Sequence, residues 1–208
     1  MLARVDSAIR LPVSDLGDGQ LRSLRDALRC RNPAADRASP FARVPEWVEA
    51  VELHDGEAVA PRGCTSEVRR VLPGVRFDDH RLSVPHGFTF GGSPRWRYQE
   101  TMVRALVAKE QGIAVSPCGS GKSDAILAAI ARAAQRTLVI VPTLDLVGQW
   151  RDRARARLGV EAAVFGGGSR DLGPLTIATI QSLATLDAAD LADLAGNFGC
   201  VAIDECHH

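Results

Sequence analysis

Ser116-Pro117-Cys118-Gly119-Ser120-Gly121-Lys122-Ser123 lies between an apolar run, Gly112-Ile113-Ala114-Val115, and a segment, Asp124 to Ala134, that carries Ile126, Leu127 and Ile130 at helical spacing. A short buried strand, a glycine turn and a helix are expected in that order. This is the context a phosphate-binding loop requires. Gly119 and Gly121 allow the backbone to turn its N–H groups inward around a phosphate, and the helix start adds the positive end of its dipole. Lys122 is expected to reach the outer phosphates and Ser123 to place a hydroxyl on Mg²⁺, with Pro117, Cys118 and Ser120 completing the cradle. Ser116 stands where the usual pattern opens with Gly, so the assignment rests on Gly-x-Gly-Lys-Ser and its flanks. A plain glycine-rich turn with an exposed Lys is the competing explanation.

Composition adds weight to Lys122. Of 25 basic residues 23 are Arg, and the two lysines are Lys109 and Lys122. A Lys retained in the loop of an Arg-using chain points to a need for a compact ammonium rather than a planar fork. Net charge is zero, with 13 basic and 13 acidic residues over 1–90 and 12 of each over 91–208. Nucleic-acid contact must therefore come from a local surface and not from a global field. Hydrophobic residues make up 46% and charged residues 24%, inside the globular range. Cys30, Cys64, Cys118, Cys200 and Cys206 are odd in number and contain no Cys-x-x-Cys pair, the usage of a reducing compartment. Met1 to Pro12 carries Arg4, Asp6 and Arg10, and no stretch approaches the ~18 apolar residues of a membrane span. A cytoplasmic protein without membrane contact is expected.

The flanking chain reads as two domains. In 1–90, Ala3 to Leu11 is expected as a strand, Gly19 to Cys30 as a helix with Leu21, Leu24 and Leu28 on one face, Trp47 to Leu53 and Glu57 to Ala60 as strands, Thr65 to Leu72 as a helix and Val75 to Leu82 as a strand. That order, β-α-β-β-α-β, describes a small α+β domain of the split βαβ kind. Turn residues crowd Pro85 to Pro94, which marks the seam. In 91–208 a helix over Trp96 to Glu110 precedes the apolar run. Strands over 137–141, 162–165, 175–178 and 200–204 then alternate with helices over 121–134 and 144–158 and helical turns across 182–194. Such alternation predicts an α/β domain with a parallel sheet covered on both faces.

Asp204-Glu205 follows the apolar Cys200-Val201-Ala202-Ile203. In a phosphate-loop NTPase the acid at such a strand end lies beside the loop, where Asp204 can hold Mg²⁺ and Glu205 can polarise the attacking water. Alone, an Asp-Glu pair at a strand end is a solvated turn; beside a phosphate loop it is a catalytic candidate.

With these residues in place the sequence resembles a known family. Asp204-Glu205-Cys206-His207 looks like a DExH box, which with the loop is similar to superfamily 2 helicases and translocases, nearest in style to the XPB-like and restriction-translocase branches. Arg97-Tyr98-Gln99 resembles the adenine-reading motif. Val141-Pro142-Thr143 with Leu146 and Gln149-Trp150 resembles the next block, Gly166-Gly167 a phosphate-contacting turn, and Thr179 to Leu183 a nucleic-acid-contacting strand end. Cys118 falls within that branch's variation, and Trp96 before Arg97 departs from it. The resemblance covers 95–208 and implies a RecA-like ATP-binding domain whose sheet is incomplete at its C-terminal side, acting with ATP and Mg²⁺ on nucleic acid, DNA rather than RNA. It implies Arg97 and Gln99 on adenine, Lys122, Asp204, Glu205 and His207 in catalysis, and Thr143, Gly166, Gly167 and Thr179 on nucleic acid. It also implies a second RecA-like domain in cis, absent from this stretch, that supplies arginine fingers, so that 1–208 alone is expected to bind nucleotide without working as a motor.

Each match has a physical basis. A Gln amide offers a donor and an acceptor, which suits the adenine edge. Hydroxyls and backbone N–H groups at strand ends bind strand phosphates without reading bases. Arg151, Arg153, Arg155 and Arg157, at a spacing of two, spread around a helix and read as a solvated face. Cys200, Cys206, His207 and His208 match no common zinc spacing. Residues 1–90 are expected to be either a substrate-engaging module or a structural support. A phosphate-loop kinase or nucleotide switch, and a non-catalytic nucleotide- and nucleic-acid-binding unit, are the rival functions. No Asn-Lys-x-Asp base-reading motif for GTP is present.

Overall fold

The computed structural model of the chain describes residues 1–35, 43–93 and 96–206. They fall into two units, Met1–Arg81 and Leu82–His208.

In the first unit the elements are β1 (Leu2–Val5), β2 (Ala8–Pro12), α1 (Asp18–Leu28), β3 (Cys30–Arg31), β4 (Trp47–Val48), β5 (Glu52–His54), β6 (Glu57–Pro61), α2 (Thr65–Val71) and β7 (Arg76–Asp79). The expected single strand over 3–11 is a hairpin, because Asp6-Ser7 reverses the chain. The Asp6 carboxylate accepts the Ala8 N–H at 3.0 Å and the Arg10 Nε–H at 3.1 Å, the side-chain-to-backbone bonding that makes Asp a turn former. The sheet runs β5-β6-β2-β1-β7, with β1 and β7 parallel and the other neighbours antiparallel. Alternation along β1 and β2 sends Ala3, Val5, Ile9 and Leu11 into a core shared with Leu24 and Leu28 of α1 and Val68 of α2. The expected strand 47–53 is two pieces: β4 pairs with β3, apart from β5 in the main sheet.

The second unit contains α3 (Arg97–Lys109), α4 (Lys122–Ala133), β8 (Thr137–Val141), α5 (Leu144–Leu158), β9 (Ala163–Gly166), β10 (Ser169–Arg170), β11 (Leu175–Thr179), α6 (Ile180–Leu183), α7 (Ala188–Ala195) and β12 (Cys200–Ile203). Its sheet, β10-β9-β11-β8-β12, is parallel except for the short antiparallel β10. All five residues of β11 are buried, as a strand covered on both faces requires. Successive β8 side chains alternate: Val139 and Val141 join Leu127, Ile130, Trp150, Ala154 and Leu158 under α4 and α5, while Leu138 joins Phe165, Leu194 and Phe198 on the opposite face. Residues 82–90, which the sequence reading leaves with the first domain, belong with this unit. Val84 N–H donates to Gln135 Oε1 at 2.7 Å, and Phe88 packs in the α4–α5 core.

The run Gly112–Val115 is not a strand. Ile113 is 81% and Val115 88% exposed, and among the described residues no strand pairs with this run. Apolar content licenses a strand only where a neighbour accepts its backbone bonds, and here β12 forms the sheet's edge with Val201 and Ile203 half-exposed. Among the described residues no helix is long and apolar enough to cross a membrane.

α3 docks on α4 through Val103, Ala125 and Ala128 and through Glu100, whose carboxylate accepts from Arg132 at 2.8 and 3.0 Å and from Arg104 at 2.8 Å. Arg132 first and Arg104 second hold the Glu100 carboxyl down at about 2. Because that value lies below the unfolded one, the stabilisation is complete above the ordinary carboxylate range and is lost as pH falls through about 2. The groups are partly exposed, so the effect is small. We expect Glu100→Gln to flatten the acid limb of the thermal unfolding midpoint between the ordinary value of 4.5 and about 2; superimposable acid limbs for variant and wild type would refute the assignment.

Candidate functional site

Because β9, β11, β8 and β12 are parallel, their carboxyl ends share one edge of the sheet. Thr179 of β11 lies opposite Val141 of β8, and Ile203 of β12 opposite Ile140, so Thr143, Thr179 and Asp204 leave the sheet at one level. Ligands of open α/β sheets bind outside this edge.

The phosphate loop is fastened from α3. Gln99 is buried, at 3% exposure, and its Oε1 accepts the Trp96 N–H at 3.0 Å across the helix start. Its Nε2 donates to the carbonyls of Ser120 at 2.9 Å and Gly121 at 3.4 Å, and the Tyr98 hydroxyl donates to the same Ser120 carbonyl at 2.5 Å. In a trans peptide the carbonyl and the following N–H point in opposite directions. Holding these two carbonyls toward α3 therefore aims the N–H groups of Gly121 and Lys122 away from it, as a phosphate cradle at a helix start needs. Gly121 has φ +76, and a Cβ there would strike the Gln99 amide. Lys122 and Ser123 open α4 directly behind it. Both ends of the Gln99 amide are thus engaged in this geometry, where they strap the loop to the start of α3. Arg97, the first residue of α3, is exposed. Pro117, Cys118 and Gly119 form the exposed outer turn of the loop, and the Ser116 hydroxyl donates to Ser120 Oγ.

One helix links the loop to the acid. Trp150 of α5 is fully buried, and its Nε1–H donates to Asp204 Oδ2 at 2.8 Å. One turn on, Arg153 Nη1 donates to Ser123 Oγ at 2.5 Å, and a turn further Arg157 Nη2 meets Asp124 Oδ2 at 2.5 Å. Residues at i, i+3 and i+7 share a helix face. Ser123 and Asp204, both expected at Mg²⁺, are therefore bound to successive turns of α5. Asp204 Oδ1 accepts the Glu205 N–H at 3.0 Å, and Glu205 stands in left-handed backbone at φ +51, a conformation that costs roughly 1 kcal/mol or more outside glycine and gathers at functional sites. His207 lies outside the described residues. A carboxylate and a hydroxyl suit Mg²⁺, which uses few protein oxygens and completes its shell with water and phosphate. Ser123 would have to exchange Arg153 for the ion.

The residues expected at nucleic acid also converge. Thr143, Gly167 and Thr179 line a cavity of about 450 Å³ together with Pro142, Gln181 and Ser182. Gly166 packs beneath it, where a Cβ would stand 2.9 Å from Thr179 Oγ1. Gln181 Nε2 ties α6 to the β8 end by donating to the Pro142 carbonyl at 2.8 Å. Asp145 is the one charged residue of this lining, so any strand phosphate falls to the neutral donors. A second cavity, of about 680 Å³, is lined by Tyr98, Met102, Leu106, Ile113, Val115 and Pro117 and holds no charged group.

The bonds of Trp150 to Asp204, of Arg153 to Ser123 and of Arg157 to Asp124 escape the sequence reading, which names Trp150 only within a family block and takes the α5 arginines as a solvated face. Arg151 and Arg155 do fit it, pairing with Glu161. The missed signal is that 150, 153 and 157 follow the same stripe as the buried Val147, Ala154 and Leu158.

Residues 94–208 match the family described as type III restriction enzyme, res subunit, ResIII. The chain belongs to the ResIII family. Among relatives of this ResIII chain, the DNA 3'-5' translocase XPB2 of Sulfurisphaera tokodaii is 33% identical over 111 residues, 53% of this chain and 24% of that protein. The putative DNA 3'-5' helicase Rad25 of Haloarcula marismortui is 29% identical over 163 residues, 75% of this chain and 26% of that protein. The ResIII chain thus spans about a quarter of the length of these curated relatives. The crystal structure of T4 UvsW matches with a TM-score of 0.69 at 18% identity, covering 100% of this chain and 48% of that one. The RecA-like fold and the motif-based resemblance to superfamily 2 are borne out by these matches.

If Gln99 is a strap on the loop, Gln99→Ala weakens every phosphate ligand alike. We expect ATP, pyrophosphate and tripolyphosphate to lose affinity by a common factor in equilibrium titrations. A loss confined to ATP would restore the adenine role.

Proposed function

We propose that this chain is the ATP- and Mg²⁺-binding half of a nucleic-acid-dependent motor ATPase, a DExH-type DNA helicase or translocase. The observation that carries this reading is the fastening of Ser123 and Asp204 to adjacent turns of α5, beside a loop whose N–H groups are aimed outward by Gln99. The backbone N–H groups of Gly121 and Lys122 bind phosphate oxygens, and the Lys122 ammonium neutralises the outer phosphates. Ser123 and Asp204 would hold Mg²⁺, which would supply charge neutralisation at the phosphoryl oxygens. Glu205, next in sequence to Asp204, orients and polarises the attacking water.

DNA as the track is supported by the XPB2 and Rad25 relatives, named as a DNA 3'-5' translocase and a putative DNA 3'-5' helicase. The cavity at Thr143, Gly167 and Thr179 offers hydroxyl and backbone donors that suit a sugar-phosphate strand without reading its bases. A second RecA-like domain is the partner that the superfamily 2 resemblance implies, closing the cleft over ATP and supplying arginine fingers. Residues 1–81 form an accessory α+β domain and 82–208 the ATP-binding domain. The protein works in the cytoplasm.

Two substitutions test the chemistry. Lys122→Ala removes charge-assisted bonds to phosphate and is expected to cost about 3 kcal/mol of nucleotide affinity; equal affinity for an ATP analogue in variant and wild type would sink the reading. Glu205→Gln, placed in a protein that turns over ATP with DNA, should keep Mg²⁺-ATP bound while hydrolysis collapses. Near-normal turnover would remove Glu205 from the mechanism.

A further inference from the structure

Trp150 is fully buried among Leu127, Val139, Val141 and Ile177, in the centre of the α4–α5 core. Its one polar atom faces the Asp204 carboxylate, with Nε1 to Oδ2 at 2.8 Å. An indole N–H donates and never accepts, so it holds only an ionised or otherwise acceptor oxygen and takes no proton in return. The other oxygen, Oδ1, is held by the Glu205 N–H at 3.0 Å, and the Asp204 N–H is in turn bonded to the Ile140 carbonyl at 2.9 Å. Both carboxylate oxygens therefore have a fixed donor, and the lone pairs left over keep fixed directions. The rigid side of this arrangement is the indole, because its packing allows it no second rotamer without opening the core.

We propose that Trp150 is a positioning residue for the metal carboxylate: its indole N–H fixes the Asp204 carboxylate in the orientation that receives Mg²⁺ at the phosphate loop. This rests on the reading of Asp204 as the Mg²⁺ carboxylate. Groups that orient a metal-binding side chain act on affinity for the ion by about tenfold to a hundredfold, although they never touch it. Trp150 carries a second duty at no extra contact: the helix that brings it to Asp204 also brings Arg153 to Ser123, so a shift of α5 moves both Mg²⁺-facing groups together.

The test uses the whole chain and has two arms. In the first, the ratio of affinities for a non-hydrolysable ATP analogue with and without Mg²⁺ is measured for wild type and Trp150→Phe, which keeps an aromatic ring in the core and removes the donor. The ratio is expected to fall about tenfold; a structural role would lower both affinities and leave the ratio in place, and that outcome overturns the inference. The second arm needs no change at Trp150 and decides the matter if that variant does not fold. The chain has three tryptophans, Trp47, Trp96 and Trp150, hence three indole N–H signals in a nitrogen-correlated NMR spectrum, assigned by Trp47→Phe and Trp96→Phe. Adding Mg²⁺ to the analogue-loaded wild type should move the Trp150 signal, and Asp204→Ala should shift it upfield and abolish the Mg²⁺ response. An unmoved Trp150 signal in a wild type whose analogue affinity does depend on Mg²⁺ overturns the inference alone. A wild type without any Mg²⁺-dependent analogue binding overturns the reading of Asp204, and the inference with it.

Discussion

A buried indole must find an acceptor for its N–H, and in this chain that requirement joins the core of the fold to its chemistry. Trp150 lies at the centre of the apolar layer between α5 and the sheet, and the acceptor it finds is Asp204 at the end of β12. Satisfying the indole thus sets the register in which α5 crosses the carboxyl ends of the strands. Once α5 is set, Arg153 and Arg157 fall on Ser123 and Asp124, and α4 is drawn to the same edge. The phosphate loop, joined to α4 through Gly121, comes with it. A second fastening, from Gln99 and Tyr98 of α3, orients the loop peptides. The site is therefore held from two helices that pack on the same neighbour, and neither fastening lies on an exposed loop alone.

Much of this was legible in the sequence because it was written in period. β8, β11 and β12 are short apolar runs, α4 and α5 carry helical stripes, and the Gly-x-Gly-Lys-Ser loop announces its own geometry. Two failures have the same root. Gly112 to Val115 has the composition of a strand and none of the partners, since pairing is a property of the neighbours and composition belongs to the segment. Ala3 to Leu11 has an apolar alternation, Ala3, Val5, Ile9 and Leu11, interrupted at Ser7, and there Asp6 turns its carboxylate onto the backbone and makes a hairpin. In both cases the backbone hydrogen bonds, made at Asp6 and not made at 112–115, decide the outcome.

At the site, the residue types were readable and their division of labour was not. Gln99 suits an adenine edge on chemical grounds, but its burial and its bonds to Ser120 and Gly121 give the amide to the loop. Arg153 and Arg157 read as members of a solvated basic series, and their bonds to Ser123 and Asp124 become visible only in the packing of α5 beside α4. Thr143, Gly167 and Thr179, far apart in sequence, meet because three parallel strands end at one level, a fact of register that becomes visible only in the pairing.

The position of β12 at the rim of its sheet has a consequence for motion. β8 is hydrogen-bonded on both sides, to β11 and to β12, whereas among the described residues β12 is bonded to β8 alone. Amide hydrogens of β8 must then exchange with solvent more slowly than those of β12, whose opening breaks a single ladder. Yet Asp204 directly follows β12, so anything that draws on that carboxylate also resists the opening. If the proposed Mg²⁺ site at Asp204 is filled, the exchange rate of this edge strand would report that occupancy.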